Sequence, residues 1–373
     1  MEEKKVFQAI STLSGTIIGV GFFSLPYILS QVGIYFLLLY FLFLGFLVIV
    51  IHLLLGELSI LTPDLKRLPG FAKHYLGDFA GKISLISAIC GTYGTLLAYL
   101  IIGGSFLQNL FSYVDQKFEW LFVLIYFIVA CVFIFLGINV ISKIEFLDSL
   151  LFLLILILIF IFGLKFFDTK NIFVTPELSF SNIFLPYGPI LFSLWGASII
   201  PEIEEILEKN KKYLQRVIFI SIFISVLFYF LFALLVCGIL GKNTTEDALS
   251  GLEGILGKNF SKLLFLFGIV TTFTSFVALG LTLQKIFWYD LKIEKNISFC
   301  LSILPPLLLF FMGFNKFLPV VSFVGRIFLG IDGILILLMY KRAKKSQIKS
   351  SLLYPLFLVF LLGIFYPIFY LFK

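Results

Sequence analysis

The sequence predicts an all-α integral membrane protein with eleven crossings, arranged as two inverted halves of five helices and a final helix. Three observations predict it. The chain of 373 residues is 61% hydrophobic and only 13% charged. Its mean hydropathy is +1.11. A soluble domain is about half apolar and about a quarter charged, so the bilayer must solvate most of this chain. The apolar residues fall into runs long enough to cross, and two of these runs carry matching interruptions.

A crossing helix needs about 20 mostly apolar residues. Runs between charged or Gly/Pro-rich breaks are 6–30, 34–61, 82–112, 119–139, 144–166, 183–207, 213–240, 260–286, 297–312, 317–340 and 352–371. The ninth is the shortest and carries Pro305-Pro306. The first run lacks an A-x-A-like site after a compact apolar core, so it is expected to stay as a span. Residues 1–166 then form the first repeat and 167–340 the second. Residues 341–373 form a basic loop and the last span.

Charge orients the chain. With a cytoplasmic N-terminus, 19 of the 28 Lys and Arg fall in cytoplasmic segments, 8 in outer ones, and Arg326 inside a span. Loops on the cytoplasmic side are enriched in Lys and Arg. The expectation is N-terminus in and C-terminus out, in the cell (inner) membrane. Lys341 to Lys349 then anchor at the membrane surface and are not a nucleic-acid patch. The 49 Phe are expected mainly on lipid-facing surfaces. Cys90, Cys131, Cys237 and Cys300 lie far apart, without metal-ligand spacing or an implied disulfide, and two histidines are too few for a histidine-based metal site.

The first run reads Ser14-Gly15-Thr16-Ile17-Ile18-Gly19-Val20-Gly21-Phe22-Phe23-Ser24-Leu25-Pro26, and the sixth Phe192-Ser193-Leu194-Trp195-Gly196-Ala197-Ser198-Ile199-Ile200-Pro201-Glu202. An interior Gly costs up to about 1 kcal/mol against Ala, and Pro about 3. Open backbone in hydrocarbon costs several kcal/mol per unpaired group unless it lines a cavity. In both runs a Gly precedes the Pro by five residues, and the runs lie five spans apart. They therefore cross in opposite directions, as discontinuous helices 1 and 6 of an inverted repeat do.

Half-helix ends at the midplane offer N–H groups to an anion and carbonyls to a cation. One site with both suits an amino acid zwitterion. The amides near Gly19, Val20 and Gly21 are candidates for the carboxylate end, the backbone of Phe192 and Ser193 for the ammonium, and Trp195 with neighbouring aromatics for the side-chain wall, with Thr16 and Gly196 as further substrate-binding candidates.

The run Gly15 to Gly21 with Leu25-Pro26 resembles the first-span motif of the amino acid/auxin permease group, and within it that of the bacterial aromatic (tyrosine/tryptophan) permeases. Leu97-Ala98-Tyr99-Leu100, Ile200-Pro201-Glu202, Thr274-Ser275-Phe276, Ala278-Leu279-Gly280-Leu281 and Glu57 are similar in kind. The likeness runs from the first span to the eighth. It implies the LeuT-like fold of the amino acid-polyamine-organocation superfamily and secondary transport of amino acids. It also implies a Tyr99 hydroxyl near the substrate carboxylate. Thr274 and Ser275 match the pair that, in sodium-coupled relatives, binds Na+ with first-span carbonyls, here near Gly15 and Ile18. The aromatic permeases are generally proton-coupled, so H+ or Na+ is the expected coupling ion, with no other cofactor.

Charge inside a span is costly and functional by default. Glu57, Glu202 and Arg326 are coupling candidates, with Glu57, Asp148 and Glu202 as candidate partners of Arg326. Asp332 lies six residues on, about 240° round the helix. His52 is a candidate proton shuttle or a packing residue, and Glu204, Glu205 and Glu208 with Lys209 to Lys212 are read as a solvated face. H-E-x-x-H, G-x-S-x-G and paired catalytic aspartates do not occur, so an enzyme is not expected. No span carries the continuous polar stripe of a channel. A sodium-coupled symporter and a non-transporting amino acid-binding receptor are the alternatives.

Overall fold

The computed structural model describes residues 2–62, 66–111, 115–136, 141–173, 179–343 and 353–371. All regular structure among them is helical. In chain order the helices are α1 (Glu2–Ile17), α2 (Leu25–Leu61), α3 (Leu68–Leu76), α4 (Asp78–Leu110), α5 (Glu119–Leu136), α6 (Ile141–Gly163), α7 (Phe180–Phe184) and α8 (Tyr187–Leu194). They continue as α9 (Ile200–Leu207), α10 (Leu214–Leu240), α11 (Glu253–Leu256), α12 (Lys258–Lys285), α13 (Lys295–Phe311), α14 (Phe317–Ala343) and α15 (Tyr354–Leu371). Short 3-10 turns link several of them.

Seven helical stretches among the described residues are long and apolar enough to cross a membrane, and three shorter apolar helices accompany them. The chain is thus a multi-pass membrane protein. The longest stretch, Val20–Leu61, has 42 residues. As one straight helix it would exceed about 60 Å, twice the hydrocarbon core. It is not straight: Gly33 has φ 73° and ψ 166°, outside any helix, and divides α2 there.

Packing is led by close helix pairs. α10 lies along α2, α12 and α14 along α4, and α1 along α10 and α9. α8 packs on α14 where glycines remove the side chains: a Cβ on Gly188 would meet Ser322 Cα at 2.8 Å, and one on Gly325 the Gly188 carbonyl carbon at 2.8 Å. Membrane helices associate through such small-residue contacts, because lipid is as apolar as leucine. Phenylalanines such as Phe43, Phe46, Phe160 and Phe223 point outward. Phe22, Phe23, Phe106 and Phe232 depart from the lipid-facing expectation and are fully buried.

The basic segment expected over 341–349 lies outside the described residues from Lys344 onward. Lys341 and Arg342 end α14, with Lys341 5.4 Å from the Tyr354 ring centre.

Candidate substrate and coupling site

The site is built where helical hydrogen bonding stops. α1 ends at Ile17, and Gly19 is fully extended (φ −129°, ψ −165°). A five-residue 3-10 turn, Val20–Ser24, follows, and Pro26 stands in the first turn of α2. Proline suits that position because its missing N–H would have no intrahelical partner. α8 ends at Leu194, Trp195 is extended, and the turn Ala197–Ile199 leads into α9, with Pro201 in its first turn.

The two interruptions touch. A Cβ on Gly21 would come within 2.8 Å of the Phe192 ring, and one on Gly196 within 2.8 Å of the Ile17 side chain. Only hydrogen at these positions permits the contact. The Tyr229 hydroxyl of α10 joins the two segments, with the Ile17 carbonyl at 2.6 Å and the Ser193 carbonyl at 2.9 Å. Its one proton is shared between two carbonyls freed by the ends of α1 and α8. Nothing in the linear sequence marks Tyr229, because its role depends on two segments far away in the chain.

Tyr99 of α4 reaches the first interruption. Its hydroxyl accepts the Val20 N–H at 3.3 Å, and a Cβ on Gly19 would lie 2.9 Å from it. Phe22 and Phe23 pack on Phe232 of α10 and Phe106 of α4, with ring centres 4.5 and 5.1 Å apart respectively. Trp195 stands edge-on to His52 of α2 at 5.5 Å and to Phe360 of α15 at 6.4 Å.

The structure thus brings together Gly19, Val20, Gly21, Tyr99, Phe192, Ser193 and Gly196. Several candidate hydroxyls turn elsewhere. The Thr16 hydroxyl bonds back to Thr12, that of Ser193 to Pro189, and that of Thr274 to Val270 and Thr271. Such back-bonding satisfies a hydroxyl within its own helix. Ser275 is half-buried, while Gly15 and Ile18 are buried.

The charged candidates have partners that the sequence did not reveal. Glu57 accepts the Tyr340 hydroxyl of α14. Glu202 lies 3.8 Å from Arg67, which is also 3.8 Å from Asp290. Arg326 pairs with neither: its Nη2 donates to the Phe184 carbonyl at 2.9 Å, and its guanidinium lies 4.8 Å from the Tyr366 ring centre. The Asp148 side chain lies outside the described residues. The solvated face expected over 204–212 needs correction. Glu204 is buried and pairs with Ser59 of α2 and with Lys211, while Glu208 pairs with Lys5 of α1. The amphipathic pattern of α9 tells which residues share a face, not that α2 covers one of them.

The fold is that of LeuT-like transporters. MhsT, solved in complex with L-phenylalanine, superposes with a TM-score of 0.63 at 18% identity, over 96% of this chain and 94% of that one. Mhp1, a nucleobase-cation-symport-1 family transporter solved closed with bromovinylhydantoin bound, superposes with a TM-score of 0.62 at 14% identity, over 89% and 77%. The sequence profile of the tryptophan/tyrosine permease family matches residues 2–368, and the chain belongs to that family. It is a membrane transporter and not an enzyme. Tyrosine-specific transport system 1 of Haemophilus influenzae is 26% identical over 345 residues, covering 85% of this chain and 82% of that protein.

Proposed function

We propose that this protein is a secondary active transporter of amino acids, aromatic or otherwise neutral, that couples uptake to protons by symport. The observation that carries the reading is the contact of the two interrupted segments, joined by Tyr229 and flanked by Tyr99. The amides of Gly19, Val20 and Gly21 and the Tyr99 hydroxyl would take the carboxylate. The carbonyls at Phe192 and Ser193 would take the ammonium. Phe22, Phe232 and Trp195 would wall the side chain. The likeness to proteins whose names specify tyrosine transport or bound L-phenylalanine supports this class of substrate.

In this reading the chain crosses the membrane eleven times, with discontinuous first and sixth spans, repeats at 1–166 and 167–340, and a cytoplasmic N-terminus in the cell membrane. Three pairings support the repeat: α2 packs on α10, α4 on α12 and α5 on α13, each on its counterpart in the other half. A two-fold axis in the membrane plane produces such self-pairing. Alternating access would move the interrupted helices against the rest. One charge moved through 100 mV supplies about 2.3 kcal/mol, enough for roughly fiftyfold accumulation at about 1.4 kcal/mol per decade. In the sodium alternative, Thr274 and Ser275 join carbonyls near Gly15 and Ile18. The Thr274 hydroxyl donates back to Val270 and Thr271, which leaves its oxygen lone pairs for a cation.

Uptake of radiolabelled L-tyrosine, L-tryptophan and other neutral amino acids into proteoliposomes tests the reading. The native protein should accumulate one of them under an imposed pH gradient. Gly21→Leu, whose side chain would fill the Phe192 contact, should not. Absence of uptake by folded native protein under both pH and Na+ gradients would overturn transport of these solutes. Counterflow would separate a carrier from a protein that only binds.

A further inference from the structure

His52 of α2 is completely shielded from solvent and has both ring nitrogens engaged. Nδ1 lies 2.8 Å from the Val48 carbonyl, four residues back on the same helix. Nε2 lies 2.9 Å from the backbone nitrogen of Gly196. A carbonyl only accepts and a backbone N–H only donates. The ring is therefore the neutral tautomer, with its proton on Nδ1 and its lone pair on Nε2 aimed at Gly196. That residue precedes the Ala197–Ile199 turn, where the helix of the second interruption has stopped.

We propose that His52 Nε2 is the proton-binding site that couples protonation to movement of the Trp195–Gly196 hinge. The inference rests on the proton-symport reading and names the group that carries it. While the Gly196 N–H points at Nε2, a proton cannot be added there, because two donors would face each other. Protonation forms an N–H bond on Nε2, makes the ring a cation, and takes away the acceptor of Gly196. The hinge must then turn to another acceptor. Conversely, any rearrangement of residues 195 and 196 around a substrate frees the lone pair for a proton. The two events are linked, and linkage acts equally in both directions. Symport requires such linkage.

Among the described residues, the surroundings of His52 hold no counter-charge that would favour an imidazolium in this arrangement. On its own helix Glu57 is bonded to Tyr340 of α14. On α9, Glu204 engages Ser59 and Lys211, and Glu202 lies by Arg67. Tyr229 of α10 is bonded to Ile17 and Ser193, and Tyr187 of α8 to Val359. On α14, Arg326 donates to Phe184, and Asp332 is buried on another part of that helix. The aromatic neighbour of His52 is Trp195. The arrangement seen is thus the deprotonated one.

A histidine that only packs would behave differently from one that carries the proton. His52→Gln distinguishes the two, because glutamine can accept from Gly196 through its carbonyl but cannot titrate. In proteoliposomes, the variant should still exchange internal for external L-tyrosine, or whichever amino acid the native protein moves. It should lose the accumulation driven by a pH gradient. Accumulation kept by His52→Gln would overturn the assignment. So would native transport driven only by Na+, which leaves amino acid transport itself standing. Should the variant fail to fold, or should native protein move none of these amino acids, the ring is read directly. The chain has two histidines, so 15N-histidine labelling of His74→Gln leaves one imidazole signal. Nε2 should lose its proton-free signature as the sample is acidified to the lowest pH at which the protein stays folded, with the Gly196 amide resonance moving in step. A ring whose Nε2 stays proton-free throughout would sink the proposal.

Discussion

At the scale of single residues, the site depends on atoms that are missing as much as on those present. A Cβ on Gly19 would meet Tyr99 Oη at 2.9 Å, and the next atom, the Ile17 carbonyl oxygen, only at 3.9 Å. Gly19→Ala should therefore destabilise the protein by about 1–3 kcal/mol through overpacking. Removing the obstructing hydroxyl should relieve that cost, so Gly19→Ala in a Tyr99→Phe background should melt close to Tyr99→Phe alone. Uptake should stay impaired in both, because the hydroxyl is assigned to the substrate carboxylate. Thermal unfolding in detergent and uptake, taken together, check this cycle. Tyr229→Phe makes a different demand. It keeps the ring but strands the Ile17 and Ser193 carbonyls, and an unpaired buried acceptor costs about 1–3 kcal/mol. A variant that melts like the native protein would show that Tyr229 does not hold the two segments. The glycines and Tyr99 were legible because their spacing or motif is local. Tyr229 and the hinge contact of His52 were not, since each is defined by partners 36 to 212 residues away.

At the scale of elements, glycine and proline punctuation was readable because breaking a helix is a local event. The gap between the runs 6–30 and 34–61 contains Gly33, where the backbone takes φ 73° and ψ 166°. That region is essentially closed to other residues and costs about 1–3 kcal/mol when forced. Gly33→Ala should lower stability by that amount, measured by thermal melting, with the interrupted segments unaltered in sequence. What periodicity does not reveal is which helix covers which face. α9 has acidic residues that pattern alone assigns to solvent, yet Glu204 is buried against Ser59 and paired with Lys211. Glu204→Gln should weaken the tie between α9 and α2. Hydrogen exchange should then accelerate over residues 200–207 and not over α12, which shares no part of that tie.

At the scale of the whole molecule, one end of the bundle is laced by charges from distant segments. Lys5 of α1 meets Glu208 and Arg67 lies between Glu202 and Asp290, while Lys211 meets Glu204, seven residues back, which also bonds Ser59 of α2. These are the basic clusters that the charge bias assigns to the cytoplasm, so in the proposed orientation the laced end is the inner one. A surface ion pair contributes about 0–1 kcal/mol, so no single contact decides whether that end opens or closes. Acting together they are large enough to bias two conformations that differ by a few kcal/mol. Lys5→Gln, Arg67→Gln and Lys211→Gln should each change little, while the triple variant should populate a state open at that end. Spin labels replacing His74 on α3 and Lys212 after α9 would report it as a longer distance. Raising salt should lengthen the distance in the native protein in the same direction, because screening acts on exposed charges. A distance that ignores both salt and the triple variant would mean that packing, and not charge, closes that end. The apolar contacts of α1 with α9 and α10 would then be the barrier that transport must overcome.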